Sequence, residues 1–225
     1  MKRFEEPILV TRPYLPDLEE FKKGCEEIWA NQWLTNNGPV VKRFHFELAK
    51  YFGVSESNIA LFNNGTLALE IGFHALGLSG GDVITTPFTF VATAHALKRI
   101  GANPIFADID PETMCLSPEA AEKLITPRTK AIVPVHVFGN VCDVEGFERL
   151  REKYGIKIIY DAAHAFGVKE GESDTTIGAC GDMSMFSFHP TKLFHSCEGG
   201  LLVFRDESVQ QKLFDLRNFA IHSET

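Results

Sequence analysis

From residue 58 onward the chain alternates short apolar runs with helix-patterned segments, and this rhythm restricts the fold more than any other feature. The apolar runs fall at 59–62, 82–86, 104–107, 130–135, 157–160, 183–187 and 201–204. Most are continuously apolar, as a strand must be when helices cover both faces of its sheet. Helical periodicity marks 66–76, 91–100, 118–125, 144–154 and 209–218. Strand and helix in turn predict an α/β fold with a mainly parallel seven-stranded sheet and helices on both faces. Ligands of such sheets bind outside the carboxyl ends of the strands. Upstream, 18–33 places Leu18, Phe21, Cys25, Ile28 and Trp29 at helical spacing, and 40–52 does the same with Phe44, Leu48 and Phe52. The expected organisation is an N-terminal helical segment over 1–57, continuous with an α/β ligand-binding domain over 58–225.

Charge and composition remove whole classes of partner. A formal charge of −8 without a basic run argues against a nucleic-acid surface. No apolar window reaches membrane-spanning length, and no basic, apolar and small-residue succession opens the chain. The expectation is a cytoplasmic protein with small-molecule partners and no membrane contact. Cys25, Cys115, Cys142, Cys180 and Cys197 are odd in number and contain no Cys-x-x-Cys pair, which suits reduced thiols rather than disulfides or a zinc site.

Three elements carry chemistry. Leu61-Phe-Asn-Asn-Gly65-Thr66 runs from a strand through a turn into a helix, where free backbone amides and the positive helix end would face an anion such as phosphate. Taken alone, the plainer reading is a tight Asn-Gly turn with Thr66 as helix cap. No G-x-x-x-x-G-K-[ST] and no G-x-G-x-x-G accompanies it, which disfavours ATP and NAD. Asp161 closes the strand Ile158-Ile-Tyr160, where a buried carboxylate needs a cationic or hydrogen-bonding partner; a strand-end cap or metal ligand competes with a catalytic role. Ser187-Phe-His-Pro190-Thr-Lys192 breaks regular structure at the proline and presents an amine at a strand end. A desolvated lysine there can bond carbonyl compounds, whereas a solvated loop lysine is the ordinary alternative. A phosphate turn, a carboxylate and a lysine together match pyridoxal phosphate, which has a phosphate, a protonatable ring nitrogen and an aldehyde.

Six ordered motifs then carry a resemblance: Trp33-Leu-Thr-Asn-Asn-Gly-Pro39, Asn64-Gly-Thr-Leu-Ala-Leu69, Asp82-Val-Ile-Thr-Thr-Pro-Phe-Thr-Phe-Val-Ala-Thr93, Pro134-Val-His-Val-Phe-Gly-Asn140, Asp161-Ala-Ala-His-Ala-Phe-Gly167 and Phe186-Ser-Phe-His-Pro-Thr-Lys-Leu193 through Glu198-Gly-Gly200. The chain resembles the DegT/DnrJ/EryC1/StrS family of nucleotide-sugar aminotransferases, whose fold is the fold-type I pyridoxal phosphate transferase large domain. The resemblance implies that Lys192 bonds the cofactor and moves the proton. It implies that Asp161 pairs with the ring nitrogen, Phe90 stacks on the ring, and His164 approaches the phenolic oxygen where the family often has Gln. Gly65, Thr66 and Ser187 match phosphate-binding positions, and Thr35 and Asn36 match a substrate-side wall. Lysine at 192 implies transamination, from glutamate to a keto carbon of a nucleotide-linked deoxysugar, and the Val10-Thr-Arg-Pro-Tyr-Leu-Pro16 opening and Trp33-Leu-Thr-Asn-Asn-Gly-Pro39 resemble the subgroup acting at C4. This places the chain in cell-surface polysaccharide, O-antigen or glycoside biosynthesis. A pyridoxal phosphate-dependent dehydratase or lyase and a non-catalytic relative are the alternatives. The family also implies a homodimer with a shared active site and a smaller C-terminal domain, which is missing from these 225 residues.

Overall fold

The apolar runs form one seven-stranded sheet in the computed structural model, which describes residues 6–169 and 176–222. The strands are β1 (Ile59–Phe62), β2 (Asp82–Thr85), β3 (Asn103–Phe106), β4 (Thr129–Val133), β5 (Lys157–Asp161), β6 (Met183–Ser187) and β7 (Gly200–Phe204), in the order β1-β7-β6-β5-β4-β2-β3. The helices are α1 (Leu18–Asn31), α2 (Pro39–Phe52), α3 (Gly65–Ala75), α4 (Ala92–Arg99), α5 (Pro118–Glu122), α6 (Val144–Tyr154) and α7 (Ser208–Arg217).

The strands read as unbroken apolar runs because both of their faces are covered. In β5, Ile159 packs with α3, α4 and α7, while Ile158 and Tyr160 pack with α5 and α6. The same alternation sends Leu202 and Phe204 of β7 to the first face. Leu201 and Val203 turn to the second, against Leu48, Ala49 and Phe52 of α2. Edge strand β3 is the exception, since Phe106 at its end is exposed.

One strand direction decides where the loops go. β2, β3, β4, β5 and β6 pair in parallel, whereas β7 runs antiparallel to both β6 and β1. The β6–β7 connection therefore folds back at the carboxyl end of β6. That is the end where β5 delivers Asp161 and β1 enters α3.

Helix α1 departs from expectation. Its apolar stripe predicts a face turned to the core, yet it has no buried residue and Trp29 is 73% exposed. The described chain offers that stripe no covering element, so helical periodicity reported the helix and not its burial. Among the described residues no helix is long and apolar enough to cross a membrane, and no group of His, Cys, Asp and Glu could hold a metal ion. No disulfide forms among the described residues.

Candidate active site

The turn from β1 into α3 is held by Asn64, not Thr66: the Asn64 side chain accepts from the Leu67 amide at 2.8 Å and caps the helix. This leaves the Gly65 and Thr66 amides without acceptors among the described residues at the helix start. The turn is also pressed against the sheet. A Cβ on Gly65 would lie 2.9 Å from Met185 Sδ and 3.1 Å from Ser187 Cβ, and one on Gly200 would meet the Asn64 carbonyl oxygen at 2.4 Å. Only glycines allow this approach. It sets two free amides beside the Ser187 hydroxyl, an arrangement of donors suited to an anion.

Asp161 ends β5 almost fully buried, and it makes no ion pair among the described residues. Its Oδ2 accepts from Thr93 Oγ1 at 2.7 Å, and its Oδ1 accepts from the Ala163 amide at 3.1 Å. Burial pushes its carboxyl above the ordinary range, and these hydrogen bonds, then His164 and Lys192, pull it back. A carboxylate so placed has lone-pair capacity left and gains most from a cationic N–H donor.

Lys192 sits in the β6–β7 loop. Its amide donates to the His189 carbonyl at 2.9 Å, closing a turn with Pro190 at the second position, where the fixed φ of proline favours it. On either side, Phe188 and Phe194 lock the loop into a ring cluster with Phe44 and Phe166, the Phe166–Phe194 centroids lying 4.7 Å apart. The half-buried Lys192 amine is pushed below the ordinary lysine range by burial, against the opposing pull of Asp161. His164 follows β5 and is likewise lowered, by burial first and by Lys192 second. Its Nδ1 accepts from the Phe138 amide at 3.3 Å.

A sequence model described as the DegT/DnrJ/EryC1/StrS aminotransferase family matches residues 17–225. The chain belongs to this family. It is 48% identical over 221 residues to a dTDP-4-amino-4,6-dideoxy-D-glucose transaminase of Shigella dysenteriae, covering 98% of this chain and 59% of that relative. It therefore spans about three-fifths of the length of this curated relative. Among solved structures, DesI in the presence of its TDP-sugar product superposes with a TM-score of 0.90 at 36% identity, over 97% of this chain and 55% of DesI. NtdA from Bacillus subtilis with bound cofactor PMP does so with a TM-score of 0.81 at 30% identity, over 94% of this chain and 49% of NtdA. The fold is thus that of the family's cofactor-binding large domain.

Of the residues that the sequence singles out, Gly65, Thr66, Ser187, Asp161, His164 and Lys192 converge at one end of the sheet. Phe90 lies in the loop after β2, 70% exposed, so core packing does not account for it. Its carbonyl lies 3.4 Å from Thr93 Oγ1, which ties the loop to Asp161. Thr35 and Asn36 are not drawn into the cluster: they are exposed in the α1–α2 loop, where the Trp33 indole donates to the Asn36 carbonyl at 3.0 Å. Sequence reasoning missed Thr93 and Phe138. Thr93 was legible only as part of a motif, and the partner of a hydroxyl on α4 is set by tertiary packing. For the backbone amide of Phe138 the residue type carries no signal.

Proposed function

We propose that this family member serves as an aminotransferase, moving an amino group from an amino acid such as glutamate to a keto carbon of a nucleotide-linked deoxysugar. The carrying observation is the convergence of an anion cradle, a buried carboxylate and a pK-lowered lysine at one sheet end. Pyridoxal phosphate fits all three. When bound, it supplies an aldehyde carbon that bonds amines and a ring that accepts the electron pair released when the adjacent C–H breaks.

The geometry supports the following roles. The Gly65 and Thr66 amides and the Ser187 hydroxyl bind the phosphate. Asp161 would hold a proton on the ring nitrogen, because a buried carboxylate stabilises a cation next to it. The lowered Lys192 amine has a larger neutral fraction near neutral pH, which suits it to hold the cofactor through its aldehyde and to carry a proton at Nζ. The exposed Phe90 ring would cover one face of the cofactor, and Thr35 and Asn36 would form part of the substrate wall in a homodimer. A homodimer in the cytoplasm fits the uncovered apolar stripe of α1 and the cysteines' lack of disulfides among the described residues. The relative's name favours C4 of a dTDP-linked sugar, and 40% identity over 196 residues to a spore coat polysaccharide biosynthesis protein of Bacillus subtilis supports a role in cell-surface polysaccharide biosynthesis.

The test is incubation of the whole protein with pyridoxal phosphate, L-glutamate and a panel of nucleotide-linked keto sugars, with product mass read against a Lys192→Ala control. A lysine-dependent amino sugar is the expected result. Loss of water from the sugar without nitrogen gain would move the assignment to dehydration.

A further inference from the structure

The loop after β4 contains a strained residue that the proposed chemistry leaves unexplained. Phe138 has φ +57° and is followed by Gly139 at φ +88°, so two successive residues stand in the left-handed region that side-chain-bearing residues rarely adopt. The conformation is fixed from several sides. Gly139 N–H donates to the His136 carbonyl at 3.2 Å, Asn140 N–H donates to the Val137 carbonyl at 2.9 Å, and the Asn140 side-chain amide donates to the Thr113 carbonyl at 2.8 Å. Its outcome is that the Phe138 amide points at His164 Nδ1, 3.3 Å away, while the Phe138 ring, 75% exposed, lies parallel to the imidazole at 7° with centroids 6.2 Å apart. Phe88 holds that ring edge-on at 6.1 Å.

An N–H donor can meet only a bare nitrogen, so a neutral His164 must carry its proton on Nε2. Two charged groups face the ring, the Lys192 amine and the Asp161 carboxylate. Burial and the lysine both disfavour the imidazolium, and only Asp161 favours it. Among the described residues Nε2 makes no hydrogen bond. We propose that the backbone amide of Phe138 is a positioning group: it fixes His164 as the Nε2–H tautomer, so that the ring would offer a neutral donor to the cofactor. This rests on the cofactor reading above. That role gives the strained loop a purpose, because a relaxed Phe138 would turn its amide away from Nδ1.

The first test needs no cofactor. Long-range proton–nitrogen NMR on histidine-labelled, cofactor-free protein, with His164 assigned by its loss in His164→Gln, should show bare Nδ1 and protonated Nε2 at neutral pH. An Nδ1–H tautomer, an averaged pair or an imidazolium would overturn the proposal. The second test is titration with pyridoxal phosphate followed by visible absorbance. His164→Gln should keep the dissociation constant within ~3-fold and the absorbance maximum in place, while His164→Leu should weaken binding by ~10-fold and move the maximum. Unchanged binding and spectrum in His164→Leu would overturn the donor role. If wild type itself takes up no cofactor, the cofactor reading and the donor role fall together, and the nitrogen spectrum still decides whether Phe138 sets the tautomer.

Discussion

Thr93 Oγ1 donates a 2.7 Å hydrogen bond to Asp161 Oδ2, joining α4 to the end of β5 across 68 residues of chain. Thr89 Oγ1 lies 3.0 Å from Thr93 Oγ1, so with the Thr93 proton committed to the carboxylate, Thr89 donates in turn. The two hydroxyls form a short relay that orients Asp161 and leaves its remaining lone pairs facing the site.

Removing that relay should be visible in pH dependence. Thr93→Val keeps the shape but deletes a hydrogen bond to a charged group, a loss of roughly 1.5–3 kcal/mol. Burial already raises the Asp161 carboxyl and Thr93 restrains it, so the valine variant should protonate at higher pH. The acid limb of pyridoxal phosphate binding should shift to higher pH, and Thr93→Ser should restore it. An unmoved limb in the valine variant would remove Thr93 from the site.

For Lys192, alanine should abolish the visible absorbance that bound pyridoxal phosphate shows when bonded to an enzyme lysine, and lower turnover by about 10²–10⁴-fold, the usual span for a proton-transferring side chain. Lys192→Arg should do the same, because a guanidinium keeps the charge but not a deprotonatable amine. Spectra of the two variants beside wild type make the comparison, and activity retained by arginine would contradict the role.

Gly200→Ala tests the pressed turn. The added methyl would sit 2.4 Å from the Asn64 carbonyl oxygen, a backbone atom in the β1–α3 turn that has little room to withdraw. Overpacking of this kind costs about 1–3 kcal/mol, which lowers Tm by several degrees in a domain of this size. Phosphate-dependent affinity should fall as well, since the turn moves away from Ser187. Thermal melts with and without pyridoxal phosphate separate the two effects.

Buried His136 should impose an acid limit on stability. Burial holds its pKa down at about 4, below the ordinary 6.5, so the unfolded chain binds more protons over that interval. The contribution is complete above pH 6.5 and is lost progressively as pH falls towards 4, by about 3 kcal/mol. Its Nδ1 accepts from the Cys142 amide at 3.0 Å, a role asparagine can approximate. Urea unfolding of wild type and His136→Asn at pH 7 and pH 4.5 should show a smaller acid-induced loss in the variant.

Strand positions were readable because a two-faced sheet demands unbroken apolar runs, and 157–160, 183–187 and 201–204 each lie within one residue of a strand. Strand direction was not readable, since Leu201-Leu-Val-Phe204 is equally apolar whichever way it runs; pairing alone makes β7 antiparallel. Lys192 and Asp161 stood out by chemistry, residue type against apolar surroundings. Thr93, Asn64 and the Phe138 amide did not, because a hydroxyl, a short amide and a backbone N–H acquire their roles from what packs opposite. The stripe of α1 shows the converse, a pattern that names a helix without naming what it touches.

The place of β7 in the sheet has a consequence for biosynthesis. β1, Ile59–Phe62, pairs only with β7, Gly200–Phe204, so during vectorial synthesis it emerges from the ribosome long before its partner exists. At about 5–20 residues per second the wait is on the order of ten seconds or more, with one apolar strand unpaired. The turn at Gly65 reaches Ser187 only when the late strand slides between its two older neighbours. Nascent chains of this protein should accordingly need holding by a chaperone until residue 204 has cleared the exit tunnel, and should gain cofactor affinity abruptly at that length.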